Sequence, residues 1–129
     1  MWVRIPRDLV DKIHDRLISI SGGSYGVLNS GNIDSALSSP LASFGDVDLY
    51  DTDLKKCCKL FHATVSNHGY VDGNKRIGLF LFIMSLELCG IGSNEITNEK
   101  AEELSISIAD GKITVEELYE RVSALLGKE

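Results

Sequence analysis

The segment HGYVDGNKR, His68 to Arg76, gathers a histidine, an aspartate, an asparagine, a lysine and an arginine within nine residues, directly ahead of the apolar run IGLFLF. That run continues to Cys89 as a helix, which puts Lys75 and Arg76 in its first turn. The positive end of a helix macrodipole disfavours each cation there by roughly 0.3–1 kcal/mol. A bound phosphate resolves the conflict. The open backbone N–H groups of the first turn, with Gly73 allowing close approach, form an anion pocket, and the lysine and arginine add charge-assisted bonds of roughly 1.5–3 kcal/mol.

Asp72, beside that pocket, suits magnesium, which takes one or two carboxylates together with substrate phosphate oxygens. Asn74 is placed to orient a phosphate or a water on the metal. His68 is the residue type that accepts a hydroxyl proton near neutral pH. The set points to metal-assisted transfer from a nucleotide to a hydroxyl. Each member also has a plainer role: Asp72 as an N-cap, His68 as a satisfied helix-end residue, Lys75 and Arg76 as a solvated surface pair. Tyr70 and Val71 read as anchors packing the turn onto the core.

The elements that must position this segment read as helices. Leu9, Val10, Ile13, Leu17 and Ile20 follow Pro6 at helical spacing until Gly22-Gly23. IDSALSS suggests a short helical piece stopped before Pro40, and LASFGDVDLYDT a long surface loop. Thr52 caps a second long helix reaching Asn67 and delivering His68 at its end. The segment from Asn74 to Cys89 is apolar on nearly every face, which predicts a central buried helix. Asn98 to Ala109 is amphipathic, and Thr114-Val-Glu-Glu117 is a capping-box pattern opening a last helix to about Leu126. No convincing period-two strand appears. The expectation is an all-α fold, one compact domain over residues 1–129, with five to six helices around a buried central one.

Composition narrows the function. The chain has 129 residues, 43% hydrophobic and 25% charged, as expected of a folded globular domain. Nineteen acidic against thirteen basic residues, net charge −6, argue against a broad nucleic-acid or anionic-membrane surface. The N-terminus lacks a signal-peptide pattern, and the apolar run to Ile91 contains Ser85 and Glu87, so a cytoplasmic protein without a membrane span is expected. Cys57, Cys58 and Cys89 show no CxxC spacing and read as free core thiols. His14 and His62, within helices, read as structural, and GGSYG at 22–26 as a turn, since it matches no phosphate-loop pattern.

HGYVDGNKR resembles the HxFx(D/N)xNxR signature of the Fic/Doc (Fido) superfamily, in the form with lysine before the arginine that marks its death-on-curing, or Doc, branch. IHD at 13–15, GNIDSALSSP at 31–40, FGDVDLY at 44–50 and the ITVEEL ending are similar to Doc-type sequences as well. The resemblance implies a helical Fido fold, ATP as donor, Mg2+ and modification of a protein hydroxyl. By position it makes His68 the general base, Asp72 the metal-associated acid, and Asn74, Lys75 and Arg76 the phosphate contacts, with His68, Asp72, Lys75 and Arg76 as the catalytic set and Lys75 the residue favouring phosphotransfer. Most Fic members carry a small glycine where Lys75 stands and transfer AMP. The Doc type instead binds ATP reversed and phosphorylates a threonine of elongation factor Tu, arresting translation.

The resemblance therefore implies a toxin of a toxin–antitoxin system that transfers the γ-phosphate of ATP. An AMP transferase of the same fold is the runner-up, and a non-catalytic module binding an antitoxin-like partner is the rival from another class. The self-inhibitory pattern (S/T)xxxE(G/N) is absent, so restraint is expected from a separate antitoxin protein. Residues 41–51 would form a flap that docks the target. Two departures stand out: Tyr70 replaces the usual phenylalanine and brings a hydroxyl that needs a partner, and Gly69 is expected to loosen the turn carrying His68.

Overall fold

Six α-helices, described for residues 2–127 of a computed structural model, carry the fold: α1 (Arg7–Ser21), α2 (Ser30–Ser38), α3 (Asp53–Ser66), α4 (Asn74–Leu88), α5 (Asn98–Ala109) and α6 (Val115–Leu125). The all-α expectation holds. Helix starts follow local chemistry. Asn29, Thr52, Thr97 and Thr114 each accept a backbone N–H from the first turn, and Glu117 returns the bond to Thr114 in a complete capping box. The cap at Asn29 starts α2 ahead of the IDSALSS piece, and a 3-10 turn at Ser39–Leu41 follows it.

Helices α3 and α4 pack closest, because Gly78 lets their backbones approach. A Cβ at Gly78 would lie 2.5 Å from Val65 Cγ2 and 3.4 Å from the Val65 amide nitrogen. Phe61 and Phe82 stack across this contact with centroids 4.7 Å apart. Cys57 and Cys58 are fully buried in the same core, and burial pushes the Cys58 thiol up to about 12. Helix α6 closes the far side of the core through Leu118 and Val122.

Two expectations change. The 41–51 segment holds a two-stranded antiparallel hairpin, β1 (Ser43–Phe44) against β2 (Val47–Asp48), turned at Gly45, whose φ is +62°. Strands of two residues are too short to show alternation in sequence. Helix α4 also is not covered all round. Ile77, Leu81, Phe82 and Leu86 are buried, whereas Phe80 and Leu88 are exposed. Between α1 and α4 an open groove of about 510 Å³ is walled by Leu17, Leu79, Phe80, Ile83 and Met84. Among the described residues no helix is long and apolar enough to cross a membrane.

Candidate active site

The turn between α3 and α4 presents the predicted residues, and its neighbours hold much of its backbone. At its start, the Asn67 carbonyl accepts from Asn32 Nδ2 at 2.8 Å, while Asn67 Nδ2 donates to the Asn32 carbonyl at 3.3 Å. This reciprocal clasp ties α2 to the peptide that precedes His68. His68 itself has φ of +50°, a left-handed conformation uncommon outside glycine, and its side chain is exposed.

Gly69 does not loosen the turn. A Cβ there would sit 2.3 Å from Ile33 Cγ1, so glycine is what lets α2 pack against the turn. Its carbonyl accepts from the Leu28 and Asn29 amides at 2.9 and 3.0 Å. Tyr70 is buried, and its hydroxyl finds its partner in Asp11 Oδ1, 2.5 Å away. Burial, and then the Asp11 bond, push the Tyr70 phenol well up, so it remains a donor. Val71 departs from the anchoring role. Its amide donates to the Gly26 carbonyl at 3.0 Å, but its side chain is 52% exposed.

Asp72 accepts from the Ser24 amide through Oδ2 at 3.0 Å and from the Gly73 amide through Oδ1 at 2.8 Å. Those two N–H groups, with the Arg76 charge behind them, hold its carboxyl below the usual carboxylate range. Each oxygen retains a free lone-pair direction and the side chain is 46% exposed, so the carboxylate fits magnesium as a single protein ligand. Among the described residues no group of three or more His, Cys, Asp or Glu side chains gathers for a metal, so the remaining ligands would be water and phosphate oxygens.

Helix α4 begins at Gly73, whose φ is +76°, with no side-chain cap. The first bond into the helix runs from the Ile77 amide to the Gly73 carbonyl at 2.9 Å. The amides of Asn74, Lys75 and Arg76 therefore point out of the helix without a protein acceptor among the described residues, as an anion site requires. Lys75 is exposed at this mouth and makes no ion pair among the described residues. A cavity of about 340 Å³ opens beside Lys75 and Arg76, walled by Leu79, Asn98, Glu102 and Ile106.

The other two polar residues are engaged elsewhere. The Asn74 amide brackets Tyr70, accepting its N–H and donating to its carbonyl, each at 3.0 Å. Arg76 reaches back to α1, donating to Ser21 Oγ at 3.0 Å and to the Gly22 carbonyl at 2.6 Å, with Asp72 Oδ1 3.9 Å away. Asp72, Gly73 and Arg76 are thus one bonded cluster, Lys75 stands exposed at its edge, and His68 occupies the opposite arm of the turn.

Sequence reasoning missed what lies beneath. His14, read as structural, is buried, donates from Nε2 to the Asp72 carbonyl at 2.7 Å, and stacks on Tyr70 with centroids 3.8 Å apart. The Gly22–Ser24 turn lies against the cluster, and a Cβ on Gly23 would come within 2.6 Å of Asp72 Oδ2 and 2.7 Å of Arg76 Nη2. The available signal was the spacing of Arg7, Asp11, His14, Ile18 and Ser21, one stripe of α1 carrying polar groups on its packed side.

The helical fold and its clamped turn define a Fido-like domain. Residues 4–86, from the approach to α1 through most of α4, match the Fic/DOC family, and the chain belongs to it. No curated protein matches the chain. Members of the family are typically transferases acting on protein hydroxyls and generally use ATP and Mg2+.

Proposed function

We propose that this chain is a Doc-type toxin that transfers the γ-phosphate of ATP to a protein hydroxyl, with a threonine of elongation factor Tu as target, and so arrests translation in the cytoplasm. The observation that carries the reading is the N-terminus of α4, uncapped by a side chain, with Lys75 exposed at its mouth and in no ion pair among the described residues. Three outward amides and an exposed ammonium favour a terminal phosphoryl group, whose charge is greatest. An α-phosphate brought to the same place would have to pass the lysine, where AMP transferases keep a glycine.

In the transfer, His68 takes the proton of the target hydroxyl. The hydroxyl oxygen bonds to the γ-phosphorus, the bond to the bridging β–γ oxygen breaks, and ADP leaves with that electron pair. Magnesium, when bound at Asp72, supplies charge neutralisation for the phosphates. Restraint by a separate antitoxin belongs to the same reading. The apolar groove between α1 and α4 offers a surface for it, with Arg76 and Glu87 at its edges.

The test is incubation of wild type and His68→Ala with Mg2+ and γ-labelled ATP in a bacterial extract. Label on one protein with wild type and none with the variant supports the reading. Equal growth arrest by both on induced expression, without label, would instead favour a non-catalytic binding module.

A further inference from the structure

Tyr70 is the hub of a network that runs out of the turn into α1. Asp11 and His14 stand three residues apart on one face of α1, so one meets the hydroxyl end of Tyr70 and the other its ring. Behind them, Arg7 Nε donates to Asp11 Oδ1 at 2.9 Å, and Arg7 Nη1 donates to Asp34 Oδ1 and Ser30 Oγ of α2 at 3.0 and 2.8 Å. The acceptor used by the tyrosine is therefore itself held between two helices.

On the other side of the ring, His14 controls a peptide. A carbonyl oxygen only accepts, so Nε2 carries the hydrogen in its bond to Asp72. The carbonyl oxygen and the following N–H lie on opposite sides of a trans peptide. Drawing the Asp72 carbonyl toward α1 therefore aims the Gly73 N–H the other way, toward the Asp72 carboxylate that it meets at 2.8 Å. The orientation of that carboxylate and the entry into α4 both depend on this plane.

We propose that Asp11 is a positioning residue for the transfer, acting through Tyr70, whose hydroxyl locks the motif turn to α1. The proposal rests on the transferase reading for its kinetic test but not for its structural one. A phenylalanine keeps the ring, its stack on His14 and its burial, and loses only the tether. Asp11 then retains Arg7 and solvent, so the fold survives. The lost tether acts on the geometry of the reacting groups and leaves the phosphate contacts in place.

The kinetic experiment compares wild type with Tyr70→Phe, Asp11→Leu and Asp11→Asn, using labelled ATP. Tyr70→Phe and Asp11→Leu are expected to lower kcat about tenfold with KM for ATP within about twofold, since small misplacements act on the reaction step. Asp11→Asn keeps an acceptor for the phenol and restores most of kcat. The double variant Tyr70→Phe/Asp11→Leu should be no slower than either single one, as expected for two ends of one interaction. Unchanged kcat in both single variants, or additive losses, would overturn the proposal.

If wild type transfers nothing, the transferase reading fails while this proposal is still judged by amide exchange. The Val71 and Gly73 amides of Tyr70→Phe should exchange about tenfold faster while that of Phe82 is unchanged. Equal protection throughout would sink the tether.

Discussion

The motif turn and the flap flank α3 in the chain and are built in opposite ways. In the turn, the Gly69 and Asp72 carbonyls, both polar groups of the Tyr70 backbone and the Val71 and Gly73 amides all have protein partners. In the flap, two residue pairs and the bond from the Leu49 amide to the Ala42 carbonyl hold the backbone. Phe44 is 83% exposed and Val47 68%. Lys56 ties the base of the flap, donating to the Tyr50 carbonyl and approaching Asp48 at 3.7 Å. The turn is held by its neighbours, and the 41–51 hairpin leaves apolar side chains in water; under the proposed function the first fixes the reacting distances and the second receives the target.

That contrast predicts different failures. His68→Ala should lower transfer by roughly 10²–10⁴-fold, the usual worth of a general base, with thermal stability unchanged because the side chain is exposed. A large loss of stability would mean that His68 belongs to the clamp. Gly69→Ala should strike the clamp itself. The added Cβ meets Ile33, and overpacking of this kind costs about 1–3 kcal/mol, which a thermal melt would register together with lost transfer.

Phe44→Asp should behave in the reverse manner. Stability should stay within about 0.5 kcal/mol, as for other surface substitutions. KM for the protein target should rise about tenfold, equivalent to roughly 1.4 kcal/mol, with KM for ATP unchanged. A shift in KM for ATP would erase the division between the two regions. The smallest effect concerns pH. The Asp72 carboxyl lies below its ordinary value when folded, so the stability it contributes is full above about pH 3.9 and is lost as pH falls through the depressed value. In Asp72→Asn that acid-side loss should be reduced in melts taken across the acidic range.

Much of this architecture was legible because its causes are local. Thr52 and the Thr114–Glu117 box announce helix starts by residue type, and Leu81, Phe82 and Leu86 announce a core face. The reactive segment was visible because cations at a helix N-terminus invite an explanation. What stayed hidden depends on contacts distant in sequence. Nothing beside Gly69 says that Ile33 will fill the space its missing Cβ leaves, so the residue read as slack. His14 and Asp11 look like ordinary members of an amphipathic helix until Tyr70, 59 residues beyond Asp11, settles against them. Val71 and the open side of α4 erred the other way, since apolar type alone does not decide which face another element covers.

The central claim is that the open end of α4 holds a terminal phosphoryl group for transfer. It is tested most directly by the intact mass of the protein that wild type modifies in the presence of Mg-ATP. A gain equal to one phosphoryl group, lost in His68→Ala, is the predicted result. A gain equal to one adenylyl group would contradict it and make the chain an AMP transferase despite Lys75.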